Sequence, residues 1–99
     1  MSEQSYEVLV EKIKAWGRGK HIKNPATQLI KIVEEIGELS AAFLRREDMT
    51  DAFGDVLVTL IIQADILGYD LRQCLETAWN EIEHRVGVTE NGCFVKSEE

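Results

Sequence analysis

Apolar residues recur at three- and four-residue intervals along most of this chain, the period of helices that bury one face. Tyr6, Leu9, Val10, Ile13 and Trp16 predict a first amphipathic helix, ended near Gly17 and Gly19. Asn24-Pro25 is an N-cap followed by proline at the first helical position, so it starts a second helix. That helix carries Leu29, Ile32, Val33, Ile36, Leu39 and Phe43 on its core face. A short connection at Arg45 to Met49 follows, and Asp48 or Thr50 caps a third helix from about Asp51 to Leu67, with Gly68 as its stop. The third helix is apolar on nearly every side (Phe53, Val56, Leu57, Val58, Leu60, Ile61), so it is expected to be buried, partly against another subunit. Asp70 caps a fourth helix with Leu71, Leu75, Ala78, Trp79, Ile82 and Val86 as core residues. From Gly87 the helical period is lost, and Gly92 to Val95 reads as a short extended tail. There is no internal repeat or linker, so residues 1–99 are expected to form one all-α domain.

Polar residues on the second helix are as regular as the apolar ones. Gln28, Lys31, Glu35 and Glu38 fall on a single stripe, and Glu34, Glu35 and Glu38 make an EExxE cluster. Bare carboxylates a few Å apart repel by about 4 kcal/mol per pair at an effective dielectric near 20. A hard divalent cation turns that cost into binding, and oxygen-only donors favour Mg²⁺ or Mn²⁺ over zinc. Asp55 lies inside the most apolar helix, where a carboxylate is costly unless it is paired or on a metal. A hairpin turning about Arg46–Glu47 would set Glu38 opposite Asp55, and Ala42 opposite Asp51. The plainer alternatives are a solvated glutamate pair and an acid in a helix's first turn; together they leave the stripe unexplained.

Charge sharpens this picture. The net charge of −7 argues against a partner that is a nucleic-acid polymer or an anionic membrane. Yet Lys12 to Lys31 holds six basic residues and no acidic one, whereas from Ile32 onward five basic residues face fifteen acidic ones. A basic segment feeding into a carboxylate cluster suits a polyphosphate bridged by a metal. Gly17-Arg18-Gly19-Lys20 lacks the P-loop pattern, and the single ExxH at Glu81–His84 lies off the core stripe of its helix. Cys74 and Cys93 are too few for a disulfide framework or a zinc knuckle. Free thiols, a polar start and no long apolar run lead to the expectation of a cytoplasmic protein.

The segments NPATQLIKIVEEIGEL, DAFGDVLVTL and AWNEIEHRVG, with the ending NGCFVKSEE, resemble the short single-domain MazG-like nucleoside triphosphate pyrophosphohydrolases. The resemblance covers nearly the whole chain beyond the first helix. It implies a four-helix fold assembling as a homodimer or homotetramer, and Mg²⁺-dependent hydrolysis of a (deoxy)nucleoside triphosphate to the monophosphate plus pyrophosphate. The metal would be held by an ExxE and an ExxD pair. By position the ExxE is Glu35 and Glu38 and the aspartate is Asp55, but the ExxD glutamate falls on Ala52. Either Asp51, one residue away, or Glu34 then supplies the missing carboxylate, and Glu34 or Glu38 accepts the proton of the attacking water. The resemblance further implies substrate contacts: Lys31 to phosphates, Gln28 to a base edge, and Asn80 and Arg85 to sugar or phosphate. Trp16 either stacks on a base or packs in the core.

Two classes of function are therefore in play. One is an Mg²⁺-dependent pyrophosphohydrolase, with Mn²⁺ as a substitute metal. The other is a catalytically weakened helical module that binds a nucleotide or a protein, the reading that Ala52 favours.

Overall fold

The structure, a computed structural model, describes residues 3–97. It divides between Tyr69 and Asp70 into two compact units. The first contains α1 (Tyr6–Gly19), α2 (Pro25–Leu44) and α3 (Thr50–Leu67). The second contains α4 (Leu71–Glu83) and the strands β1 (Gly87–Glu90) and β2 (Cys93–Lys96). The expected all-α class and four helices are borne out. Among the described residues no single helix is long and apolar enough to cross a membrane.

Side-chain caps start α2 and α4 where the sequence places them. Asn24 Oδ1 accepts the backbone N–H groups of Ala26 (2.9 Å) and Thr27 (3.3 Å). Asp70 Oδ1 accepts that of Arg72 at 2.9 Å. At α3 neither Asp48 nor Thr50 is the cap residue: Met49 is, without a side-chain bond, and Asp48 Oδ1, one residue before it, accepts both the backbone N–H (3.1 Å) and the hydroxyl (2.8 Å) of Thr50. These bonds hold the Asp48 carboxyl below its usual range, the Thr50 hydroxyl contributing most.

Three helices end in the same device, a Schellman turn whose closing N–H bonds the carbonyl five residues back. The closing bonds are Ile22 to Gly17 (3.0 Å), Glu47 to Ala42 (3.0 Å) and Tyr69 to Ala64 (2.8 Å). The left-handed residue in each is His21 (φ 59°), Arg46 (φ 59°) and Gly68 (φ 79°). Glycine marks only the last, so α1 passes Gly17 and runs to Gly19. Gly17 serves packing instead: a Cβ there would lie 3.3 Å from Ile62 Cγ1, so its absence lets α1 approach α3 closely.

The α2–α3 pair is the core of the first unit, and α1 packs on α3. Two cross-helix hydrogen bonds fix it as an antiparallel hairpin: Gln28 Nε2 to the Thr59 carbonyl (3.1 Å) and Gln63 Nε2 to the Pro25 carbonyl (3.0 Å). Both bonds join the N-terminal half of α2 to the C-terminal half of α3. At the other end the Arg45–Met49 connection carries the Schellman turn that folds Glu47 back against Ala42. Arg18 ties α1 to α3 by a bidentate pair with Asp65 (2.9 and 2.6 Å). The guanidinium's hydrogen bond holds the Asp65 carboxyl below its usual range.

The core is smaller than the periodicity predicts. Ile32, Ala42, Ile61, Ile62 and Ala64 are buried, but Leu29, Val33, Ile36 and Phe43 of the expected α2 face stand exposed. Phe53, Leu57 and Leu60 of α3 do so too, as do Leu75, Trp79 and Ile82 of α4. Periodicity reports that a face is apolar, not that its own chain covers it.

In the second unit the expected tail is one strand of a hairpin. β1 and β2 pair antiparallel, with Val88 opposite Val95 and Thr89 opposite Phe94. Asn91 (φ 52°) and Gly92 (φ 77°) make the two-residue turn, the Asn-Gly signature of a tight hairpin. Cys74 and Cys93 are free and exposed.

Candidate metal and nucleotide site

The polar stripe of α2 and the first turns of α3 face one open cavity of about 770 Å³. Lys31, Glu34, Glu35 and Glu38 line it from α2, and Asp51 and Asp55 line it from α3. The structure thus brings six of the sequence-predicted residues together. Helical spacing aligns each set, and the Gln28–Thr59 bond at the inner end holds the two sets face to face.

These carboxylates are not equivalent. Glu34 accepts a hydrogen bond from Lys31 Nζ at 3.2 Å, one turn back. That bond, and the Glu34 charge behind it, raises the Lys31 ammonium above its usual range. Asp48 also lines the cavity, but both Thr50 bonds fall on its Oδ1. Glu35, Glu38, Asp51 and Asp55 are the remaining carboxylates that the two helices present to the cavity. Asp55 and Glu35 are half-buried, and Glu38 and Asp51 are exposed. Ala52 lines the cavity among them, half-buried, so the place of the missing ExxD glutamate is inside the site.

Does this set fit a divalent ion? Its donors are all carboxylate oxygens from two rigidly paired helices, the chemistry Mg²⁺ and Mn²⁺ accept. Among the described residues no three acidic, histidine or cysteine side chains converge on one point in this arrangement. Ligation therefore requires rotamer changes, which the several freely rotating bonds of glutamate allow at low cost. The donor set fits by chemistry and position, with its side chains not drawn together.

Of the other predicted residues, Gln28 and Trp16 are in the first unit and do not line the cavity. Gln28 is buried, and its amide donates into the helix pair instead of facing the cavity. Trp16 is 53% exposed on α1, neither a core residue nor part of the cavity lining. Asn80 on α4 and Arg85, just beyond its cap, belong to the second unit and are exposed. Arg45 lines the cavity and was missed, although its signal was present: Gln28, Lys31, Glu35, Glu38, Ala42 and Arg45 continue one stripe at alternating steps of three and four. Glu47 also lines it, brought there by the Schellman turn, which has no polar periodicity to announce it.

No family model matches the chain, and no curated protein matches it significantly. Among solved structures it is similar to the cyanophage S-2L MazG-like pyrophosphohydrolase bound to dGDP and three catalytic Mn²⁺ ions per active site. The TM-score is 0.76 at 22% sequence identity, over 97% of this chain and 100% of that one. A likeness of this extent at this identity establishes architecture. This chain has the fold of the MazG-like pyrophosphohydrolases.

Proposed function

We propose that this protein is a divalent-metal-dependent nucleotide pyrophosphohydrolase, cleaving (deoxy)nucleoside triphosphates to the monophosphate and pyrophosphate. The observation that carries this reading is that the α2 ExxE and the α3 aspartates line one cavity that Lys31 also lines. The structural neighbour of the same fold binds dGDP and Mn²⁺, which supports a nucleotide and a divalent metal here.

Glu35, Glu38, Asp55 and Asp51 would hold Mg²⁺, or Mn²⁺ in its place. Such an ion, when bound, neutralises phosphate charge and lowers the pKa of a water. Water attacks the α-phosphorus, the bond from that phosphorus to the bridging oxygen breaks, and pyrophosphate leaves with the electron pair. Glu34 or Glu38 accepts the water's proton. Lys31, kept cationic by Glu34, holds phosphate oxygens as a point charge. The apolar residues left exposed on α2 and α3 support assembly as a dimer or tetramer, which light scattering of the full chain would check.

The test is phosphorus NMR on a panel of NTPs and dNTPs with the protein and Mg²⁺. Monophosphate plus pyrophosphate is expected, and Glu38→Gln should abolish turnover while leaving the helical spectrum unchanged. Diphosphate plus orthophosphate would overturn the mechanism. The second reading, a nucleotide-binding module without turnover, is favoured by Ala52 and by the unconverged carboxylates; binding without product over hours would establish it.

A further inference from the structure

Gly37 stands well inside α2, where glycine weakens a helix relative to alanine because its backbone loses more freedom on folding. A helix keeps such a residue at low cost where a neighbour needs the room, as Ile62 does at Gly17. Gly37 has no such neighbour. Beyond its adjacent residues and the surrounding helix backbone, a Cβ there would meet nothing within 4 Å. Its backbone does not demand glycine either, since the glycines with positive φ are Gly68 and Gly92. Nothing in the folded chain accounts for the missing side chain.

The cavity does. Gly37 is exposed and lines it, one turn after Glu34 and next to Glu38. A glycine can contribute only backbone atoms to a wall, so at this point the bare α2 backbone is the surface that a ligand meets. The amides of a helix interior are already bonded within the helix, so this stretch supplies space and not hydrogen bonds. A side chain added at Gly37 would take that space between two carboxylates of the site.

We propose that Gly37 is a positioning residue that acts by clearance, its missing side chain letting a nucleotide lie against the α2 backbone and close on the carboxylates beside it. This rests on the nucleotide site of the pyrophosphohydrolase reading and adds a steric requirement to it. Gly54 of α3 is the internal comparison: a Cβ there would also meet nothing within 4 Å, but Gly54 does not line the cavity.

The test pairs urea unfolding without ligand with calorimetric binding, in Mg²⁺, of the α,β-methylene analogues of the common deoxynucleoside triphosphates. The parent, Gly37→Ala, Gly37→Leu and Gly54→Ala would be compared. Both alanine variants should raise the urea midpoint, because each replaces a helical glycine without a clash. Only the Gly37 variants should weaken binding, by about tenfold or more for alanine, as a methyl forced into a fitted contact typically does, and further for leucine. A protein that is more stable yet binds less tightly is the expected signature, since damage to the fold would move both readouts down together. Parent-like affinity in Gly37→Ala and Gly37→Leu would overturn the proposal. Equal weakening in Gly54→Ala would do so as well, because the loss would then not belong to the cavity wall. A changed sedimentation state in the Gly37 variants alone would assign the residue to a contact between subunits and likewise overturn it. Turnover by a parent whose Gly37 variants bind normally would sink this inference alone, whereas the expected binding pattern in a protein that hydrolyses nothing would sink only the enzymatic reading.

Discussion

Gln28 separates a residue that holds the site from one that touches substrate. Its Nε2 donates to the Thr59 carbonyl at 3.1 Å, and both residues are buried. Replacing it with leucine removes that bond, worth about 1 kcal/mol net, and returns part of the loss through apolar burial. Gln28→Ala loses the same bond and one buried methylene, about 0.8 kcal/mol, and leaves a gap between the helices. The total is about 2 kcal/mol, which for a chain of this size lowers the melting midpoint by about 8–16 °C. The assay is urea and thermal unfolding followed by circular dichroism, with all proteins at one concentration so that assembly contributes equally. Base selectivity would be measured on the same preparations. Expected are a small loss for Gln28→Leu, a large one for Gln28→Ala, and unchanged selectivity in Gln28→Leu. Parent-like stability in Gln28→Ala would refute the reasoning. So would a Gln28→Leu protein of full stability that no longer discriminates among bases, because the amide would then be reading substrate.

Arg46→Gly should stabilise the protein by about 0.5–1 kcal/mol, since glycine adopts the left-handed position of a Schellman turn without a Cβ penalty; a lower urea midpoint would contradict this. Ala52→Glu should lower the metal concentration for half-maximal stabilisation by about tenfold, because affinity follows the number of anionic ligands; an unchanged metal titration would show that position 52 does not face the ion. Asp65→Asn should destabilise at neutral pH but not in strong acid. The folded carboxyl titrates below the ordinary aspartate value of 3.8, so its contribution is complete above that value and disappears as pH falls through the folded one. Parent and variant differing by the same margin from pH 7 down to roughly pH 2 would refute the assignment.

The helices and their starts were legible because they depend on local chemistry. Asn24-Pro25 and Asp70 cap whatever the rest of the chain does, and the 3.6-residue period needs no partner to be read. The Asn91-Gly92 turn was equally local and was overlooked: a two-residue hairpin signal lay inside what read as a tail. Helix ends were harder, since His21 and Arg46 occupy left-handed positions that sequence reasoning reserves for glycine.

The acidic stripe was likewise fixed by spacing alone, and so was the cavity wall it became. Tertiary structure decided what that stripe faces. The Gln28–Thr59 and Gln63–Pro25 bonds pair α2 with α3, which brings Ala52 and Asp55 onto the cavity that Glu35 and Glu38 line. It also turned Gln28 from a substrate contact into a buried tie, and placed Arg45 and Glu47 on the rim through the fold of one short connection. Spacing within a helix is dictated by the backbone and can be counted. Register between helices is the outcome of every side chain along the seam, and no single residue announces it.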